Sequence, residues 1–179
     1  CSNCETYVKS PHVPPITRIG KNAMGYILYA RYRLRLPIRK IQESLSDLYD
    51  FKISEGEIVD TLTDAETLFG KDYAAIIVLI QEAKVVYADE TGWRMDGRNW
   101  WLWVFATTTG TQYVIEDTRG KGVPKKNLGE KEDRVIISDG YAAYQNLPGD
   151  KQQCWVHLLR TAKLHSPALY EDLELLYKK

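Results

Sequence analysis

The 179-residue sequence has no apolar run long enough to cross a bilayer and no secretory leader pattern at its start. A helical membrane protein is thereby excluded, and no membrane partner is expected. Cysteine is scarce, with only Cys1, Cys4 and Cys154. An odd, sparse set cannot form the disulfide framework of a small secreted fold, so the reducing cytoplasm is the expected compartment. Net charge is missing too: 24 Lys and Arg balance 24 Asp and Glu. No overall basic field therefore announces a nucleic-acid partner. Repeats and low-complexity tracts are absent, which excludes solenoid and array folds.

What remains is a globular composition, 44% hydrophobic and 27% charged, sized for one ordinary domain or two small ones. The zero net charge hides a local excess. Between Ile16 and Gln42 lie seven basic residues and no acidic one, namely Arg18, Lys21, Arg31, Arg33, Arg35, Arg39 and Lys40. The chain starts at Cys1 without an initiator methionine and closes on a helical pattern without a stop signal. It is expected to be a segment of a longer protein.

The pattern divides the chain in three. Residues 1–16 hold Cys1-Ser-Asn-Cys4 and a run with Pro11, Pro14 and Pro15, read as a knuckle and an extended linker. Residues 17–83 read as helical. Ile27, Ala30 and Leu34 recur at helical spacing, then Ile38, Ile41, Leu45 and Leu48 follow Pro37. Ser54-Glu55-Gly56-Glu57 fits a capping box for a third helix carrying Ile58, Leu62, Ala65 and Leu68. Two short helices around a turn resemble a helix-turn-helix, and Tyr73 to Glu82 reads as one more helix. From Lys84 the period shortens. Residues 85–88, 100–105, 112–115, 134–138 and 153–156 read as strands, and the chain reads as helical from Leu158 onward. The second half is then an α/β domain over 84–179, an antiparallel meander with parallel strands added.

Two of those strands, 85–88 and 135–138, run into an aspartate, Asp89 and Asp139. Open α/β sheets place their sites at the carboxyl ends of parallel strands. Neighbouring carboxylates there repel each other, and a hard divalent cation such as Mg2+ or Mn2+ relieves that repulsion through oxygen ligands. The alternative is that each aspartate only starts a turn. Cys1 and Cys4 form half of a structural Zn2+ site. Cys154 reads as a buried strand cysteine. Trp100, Trp101 and Trp103 read as core, whereas Trp93 is a candidate to stack on a DNA base. Arg31, Arg35, Arg39 and Lys40 are candidate phosphate contacts, against the alternative of a solvated helix face. Glu90 reads either as a group supporting the metal site or as a solvated turn carboxylate.

Four blocks make the sequence resemble a known family. They are Tyr87-Ala-Asp-Glu-Thr-Gly-Trp93, Asn99-Trp-Trp-Leu-Trp-Val-Phe105, Ile137-Ser-Asp-Gly-Tyr-Ala-Ala-Tyr144 and Cys154-Trp-Val-His-Leu-Leu-Arg160. In that order they resemble the signature blocks of insertion sequence 66 transposases, and the likeness extends to the Cys1–Cys4 knuckle and to residues 26–57. The resemblance implies an RNase H-like fold with a catalytic triad of two aspartates and a glutamate. Its aspartates fall on Asp89 and Asp139. It also implies Mg2+ or Mn2+ as cofactor, Zn2+ in the intact protein, and double-stranded DNA of transposon ends and targets as partner. An active homo-oligomer is implied as well, with His157 near the site and positioning DNA; the alternative for His157 is a hydrogen-bonded histidine at a helix start. The family's glutamate follows an insertion after the Cys154–Arg160 block, and no block of that kind occurs here, so the third carboxylate is expected beyond residue 179. Glu174 stands at a spacing used by relatives without the insertion, but its surroundings read as the polar face of an amphipathic helix. The rival readings are an RNase H-like nuclease or resolvase, and a truncated transposase that binds DNA or partners without catalysis.

Overall fold

The change of period at Lys84 is a change of architecture. A computed structural model describes residues 18–178. The chain divides into two compact units, Cys1–Lys71 and Asp72–Lys179. The expected Cys1–Cys4 knuckle and Pro-rich linker lie outside the described residues.

The first unit is helical. Helix α1 (Lys21–Leu28) runs into a π-helical turn (Tyr29–Arg33), and α2 spans Ile38–Tyr49. The break between them follows from Pro37, which disfavours helical backbone at the residue before it. Arg35 takes a left-handed φ of 58° at that break. Helix α3 covers Glu55–Glu82, so its first turns belong to this unit and its last turns to the other. Its start is the expected capping box: the Ser54 Oγ accepts from the Glu57 amide at 3.2 Å, and the Glu57 carboxylate accepts from the Ser54 amide at 3.0 Å. Ile27, Ala30, Ile41, Leu45, Ile53 and Ile58 close a small core. Leu34 and Leu48, placed on the apolar stripes by spacing, stay exposed. The expected break before Tyr73 does not occur. Helix α3 passes through Gly70, where no neighbour crowds the backbone and nothing caps an end.

The second unit is a five-stranded mixed sheet of order β3-β2-β1-β4-β5. Strands β1 (Val85–Met95), β2 (Arg98–Ala106) and β3 (Thr111–Glu116) form an antiparallel meander. After α4 (Gly122–Leu128), strand β4 (Val135–Ser138) joins β1 in parallel. After α5 (Ala142–Gln145), strand β5 (Asp150–Gln153) joins β4 in parallel. Helices α6 (Trp155–His165) and α7 (Pro167–Tyr177) follow. This is the mixed sheet of antiparallel meander and parallel additions expected from the sequence.

Three local expectations are corrected. β1 does not stop at Asp89 but continues to Met95, because β2 pairs with it out to Met95↔Arg98. The strand expected at 153–156 lies at Asp150–Gln153, and Trp155 already begins α6, with Cys154 half-buried at its N-cap rather than in a strand. The terminal helix is two helices, broken at Ser166-Pro167, where the Ser166 Oγ accepts from the Leu169 amide.

One face of the sheet builds the core. Val86 and Ala88 of β1, Trp103 and Phe105 of β2 and Ile136 of β4 pack with Ile80, Leu128 and Tyr144. Arg134 is buried at the foot of that core. Its guanidinium donates to the carbonyls of Ala83 (3.1 Å), Leu128 (2.7 Å), Ile80 (3.4 Å) and Gln81. Those carbonyls lie at the ends of α3 and α4, where a helix runs out of internal donors.

Candidate active site

Asp89 and Asp139 are related through strand register. The parallel pairing of β1 and β4 runs Val85↔Val135, Val86↔Ile136 and Tyr87↔Ile137. Carried two residues past the last paired position, that register would match Asp89 with Asp139, which stands one position past the end of β4. Alternation along β1 turns Val86, Ala88 and Glu90 to the core and Tyr87 and Asp89 to the other face.

Each aspartate has one oxygen held by the backbone. The Asp89 Oδ1 accepts from the Glu90 amide at 2.9 Å. The Asp139 Oδ1 accepts from the Tyr141 amide at 2.8 Å, an Asx turn that begins α5. Among the described residues neither Oδ2 has a hydrogen-bond partner. Two carboxylates with one free oxygen each are a donor set suited to a hard divalent cation. They stand without a third such group, since no cluster of three or more His, Cys, Asp and Glu side chains that could hold a metal ion occurs among the described residues. Glu174 is engaged elsewhere: its carboxylate accepts from the Tyr170 hydroxyl at 2.8 Å and pairs with Lys178 at 3.0 Å on its own helix. Those hydrogen bonds, from Tyr170 first and then Lys178, hold its carboxyl below the usual range.

Behind the aspartates lies a buried network that sequence reasoning only brushed. The Glu90 side chain is fully buried, which overturns the reading of a solvated turn carboxylate. Its Oε1 accepts from Arg119 Nε at 3.0 Å and Nη2 at 2.7 Å, and its Oε2 accepts from the Tyr144 hydroxyl at 2.5 Å. The Arg119 guanidinium lies 4.0 Å from the ring centre of Tyr141 and 4.7 Å from that of Trp101. The Tyr141 hydroxyl in turn donates to the Arg119 carbonyl at 3.1 Å. The residue after Asp89 is thereby tied to the two turns after Asp139. Burial pushes the Tyr144 hydroxyl far above the ordinary tyrosine range, helped by its bond to Glu90 and by the negative charges of Asp139 and Asp89. Arg119, Tyr141 and Tyr144 were not singled out from the sequence, because the contacts span 29 and 54 positions. The one local signal was the period of two through Val86, Ala88 and Glu90.

His157 and Cys154 do join Asp89. Together with Tyr87, Ala88, Val104, Ala106 and Ile137 they line a cavity of about 160 Å³ on the face opposite the core. His157 Nδ1 is buried there without a hydrogen-bond partner. Trp93 lies four residues beyond Asp89 on β1 and is exposed. In the first unit, Arg31 and Arg35 precede the Pro37 break and Arg39 and Lys40 follow it, so the four share no helix face. All four are exposed; Arg39 and Lys40 both pair with Glu43, and Arg31 donates to the Leu36 carbonyl. The second helix of the helix-turn-helix pattern opens on exposed Glu55, Glu57 and Asp60, the wrong sign for entering a DNA groove.

Comparisons with known proteins complete the picture. The family model described as "Transposase IS66 family" matches residues 17–169. No curated protein matches the chain. Among solved structures, a chain of the "CryoEM structure of simian T-cell lymphotropic virus intasome in complex with PP2A regulatory subunit B56 gamma" is similar, with 15% identity and a TM-score of 0.33, over 50% of this chain and 41% of that one. The chain thus spans less than half of that neighbour, and so slight a likeness carries no argument.

Proposed function

The chain belongs to the IS66 family of transposases, and from that premise we propose that Asp89 and Asp139 are the carboxylate pair of a DNA strand-cleaving and strand-transferring site. One observation supports the reading: β1 and β4 pair in parallel up to Tyr87↔Ile137, and the same register extended by two residues would match Asp89 with Asp139. Family membership supports DNA as the substrate class and a divalent cation as the cofactor. Mg2+ or Mn2+ would be held by the free oxygens of Asp89 and Asp139, with the remaining positions left to water or a further ligand. Such an ion supplies charge for the reacting phosphodiester and lowers the pKa of bound water.

The residues of this chain do the rest by positioning. The Glu90 and Tyr141 amides fix one oxygen of each aspartate. The Glu90–Arg119–Tyr144 network keeps the strand and the turn that carry those amides from moving apart. His157 lines the cavity beside Asp89, where it would help position the substrate strand. We propose as well that the first unit acts as a separate DNA-contacting segment through its exposed Arg31 and Arg35. No described third carboxylate joins the pair, and this favours a second reading, in which this chain binds DNA without cutting it.

Mn2+ titration followed by the paramagnetic resonance of the free ion tests the pair. Asp89→Asn and Asp139→Asn should each weaken Mn2+ binding by more than about 100-fold, beyond the 10- to 100-fold typical of groups that only support ligands. Unchanged binding in both variants would refute the site. Mg2+-dependent nicking of transposon-end DNA by this chain alone would refute the non-catalytic reading.

A further inference from the structure

The antiparallel pairing of β1 and β2 outruns the rest of the sheet. β4 accompanies β1 only as far as Tyr87, and β3 accompanies β2 only from Trp101. From Trp93↔Trp100 through Arg94↔Asn99 to Met95↔Arg98, the two strands pair with each other alone. Asp96 and Gly97 close the hairpin with φ of 49° and 76°. Two successive positive φ values give the tight two-residue turn whose twist matches a β-ribbon. Residues 91–99 are all exposed.

This ribbon starts at the candidate site. Asp89, Thr91, Trp93 and Met95 alternate onto one face of β1, and pairing brings Trp100 and Arg98 to the same face. Arg94 lies on the reverse face. The side chains of Arg94 and Arg98 make no hydrogen bond or ion pair among the described residues, in contrast to those of Arg39 and Lys40, which are paired. Exposed aromatics cost solubility, and unpaired arginines beside them supply what a polyanion with flat bases would meet.

We propose that residues 91–100 form a duplex-DNA-binding arm that leads the substrate from the major groove to the Asp89–Asp139 pair. The major groove admits a two-stranded ribbon. Seven residues from Asp89 to Asp96 span about 23 Å at 3.3 Å each, or about seven base pairs at 3.4 Å. The arm thus grips the duplex beside the phosphodiester rather than at it. Arg94 and Arg98 carry phosphate or base-edge contacts, and Trp93 adds apolar contact. The inference rests on the reading of Asp89 and Asp139 as the reacting site.

The test is fluorescence-anisotropy titration of the whole chain against a duplex in EDTA, over a series of salt concentrations. The double variant Arg94→Ala with Arg98→Ala should bind about 10-fold more weakly and lower the slope of log K against log salt by about 1.8, at about 0.9 per phosphate contact. Trp93→Ala should weaken binding and leave the slope unchanged. The charge-matched control Lys125→Ala with Lys126→Ala, two exposed cations on α4 that already pair with Glu130 and Glu116, should behave as wild type. Unaltered melting temperatures show that the fold is intact. Wild-type affinity and slope in the ribbon variants would overturn the arm, as would equal losses in the control. A ribbon variant that alters sedimentation while sparing DNA binding would instead make the ribbon a contact between copies of the chain. EDTA keeps the two readings apart: loss of Mn2+ binding in Asp89→Asn with unaltered ribbon variants removes the arm and leaves the site, and the converse removes the site.

Discussion

Val86, Ala88, Trp103 and Phe105 on one face of the sheet are buried against helices, whereas Tyr87, Tyr113 and Ile115 on the other remain 48%, 62% and 45% exposed. The same strands supply both faces, one residue out of step. Glu90 and Asp89 show what that step does to a carboxylate. Facing the core, Glu90 is fully buried and both of its oxygens are bonded. Facing the other way, Asp89 is exposed and keeps one oxygen without a partner. A buried carboxylate must be satisfied internally, because leaving it unpaired costs several kcal/mol. A carboxylate on a half-open face can wait for a ligand. The difference separates residues that hold the site together from residues that act in it.

The contrast is sharpened most by truncating matched side chains on the two faces. Phe105→Ala should cost about 3–5 kcal/mol, from lost burial and the cavity left behind. Tyr113→Ala, on the neighbouring strand but facing outward, should stay within about 0.5 kcal/mol. Urea denaturation of the two variants checks this, and similar losses in both would mean that the outer face is packed in solution. Next in size is Glu90→Ala, which strands Arg119 and the Tyr144 hydroxyl. Arg119 is partly exposed and can turn to water, so the loss should be about 2 kcal/mol rather than the 3–5 of a fully buried pair. Asp89→Ala, one residue away, should leave the urea midpoint nearly unchanged. Equal effects from the two carboxylates would break the comparison.

Legibility followed the same division. Val135-Ile-Ile-Ser138 was readable because an inner strand with one face buried and the other half-buried is apolar throughout. Asp150-Lys-Gln-Gln153 was not, because an edge strand is polar and carries no hydrophobic period. The end of β1 was misplaced for a related reason. Thr91-Gly92 looks like a stop, and only the partner strand carries the pairing on to Met95. Asp89 and Asp139 stood out because each follows a short apolar run, although only Asp139 follows the end of its strand. Arg119 and Tyr144 had no such local mark; their meaning comes from Glu90, and that contact is tertiary. The Ser166-Pro167 break was written in the sequence as an N-cap followed by a proline at the first helical position, and was overlooked within a continuous apolar pattern.

The smallest effect isolates the Tyr144 hydroxyl. Its pKa is raised above the ordinary 10.0, by burial first and by Glu90 next. Below pH 10 the folded and unfolded chains both keep this proton, and the group adds no pH dependence. Above pH 10 the unfolded chain releases it while the folded chain retains it, so stability falls as pH rises, by about 1.4 kcal/mol per pH unit. Tyr144→Phe removes that dependence and forfeits only one hydrogen bond, about 1 kcal/mol at neutral pH. Urea midpoints between pH 9 and pH 11 should therefore converge, with wild type the more stable at the lower pH and its lead shrinking as pH rises. Parallel curves would mean that Tyr144 ionises as freely in the folded chain as in the unfolded one. In that event Glu90 would be held by Arg119 alone, and the boundary between the closed face and the open one would run through Glu90 itself.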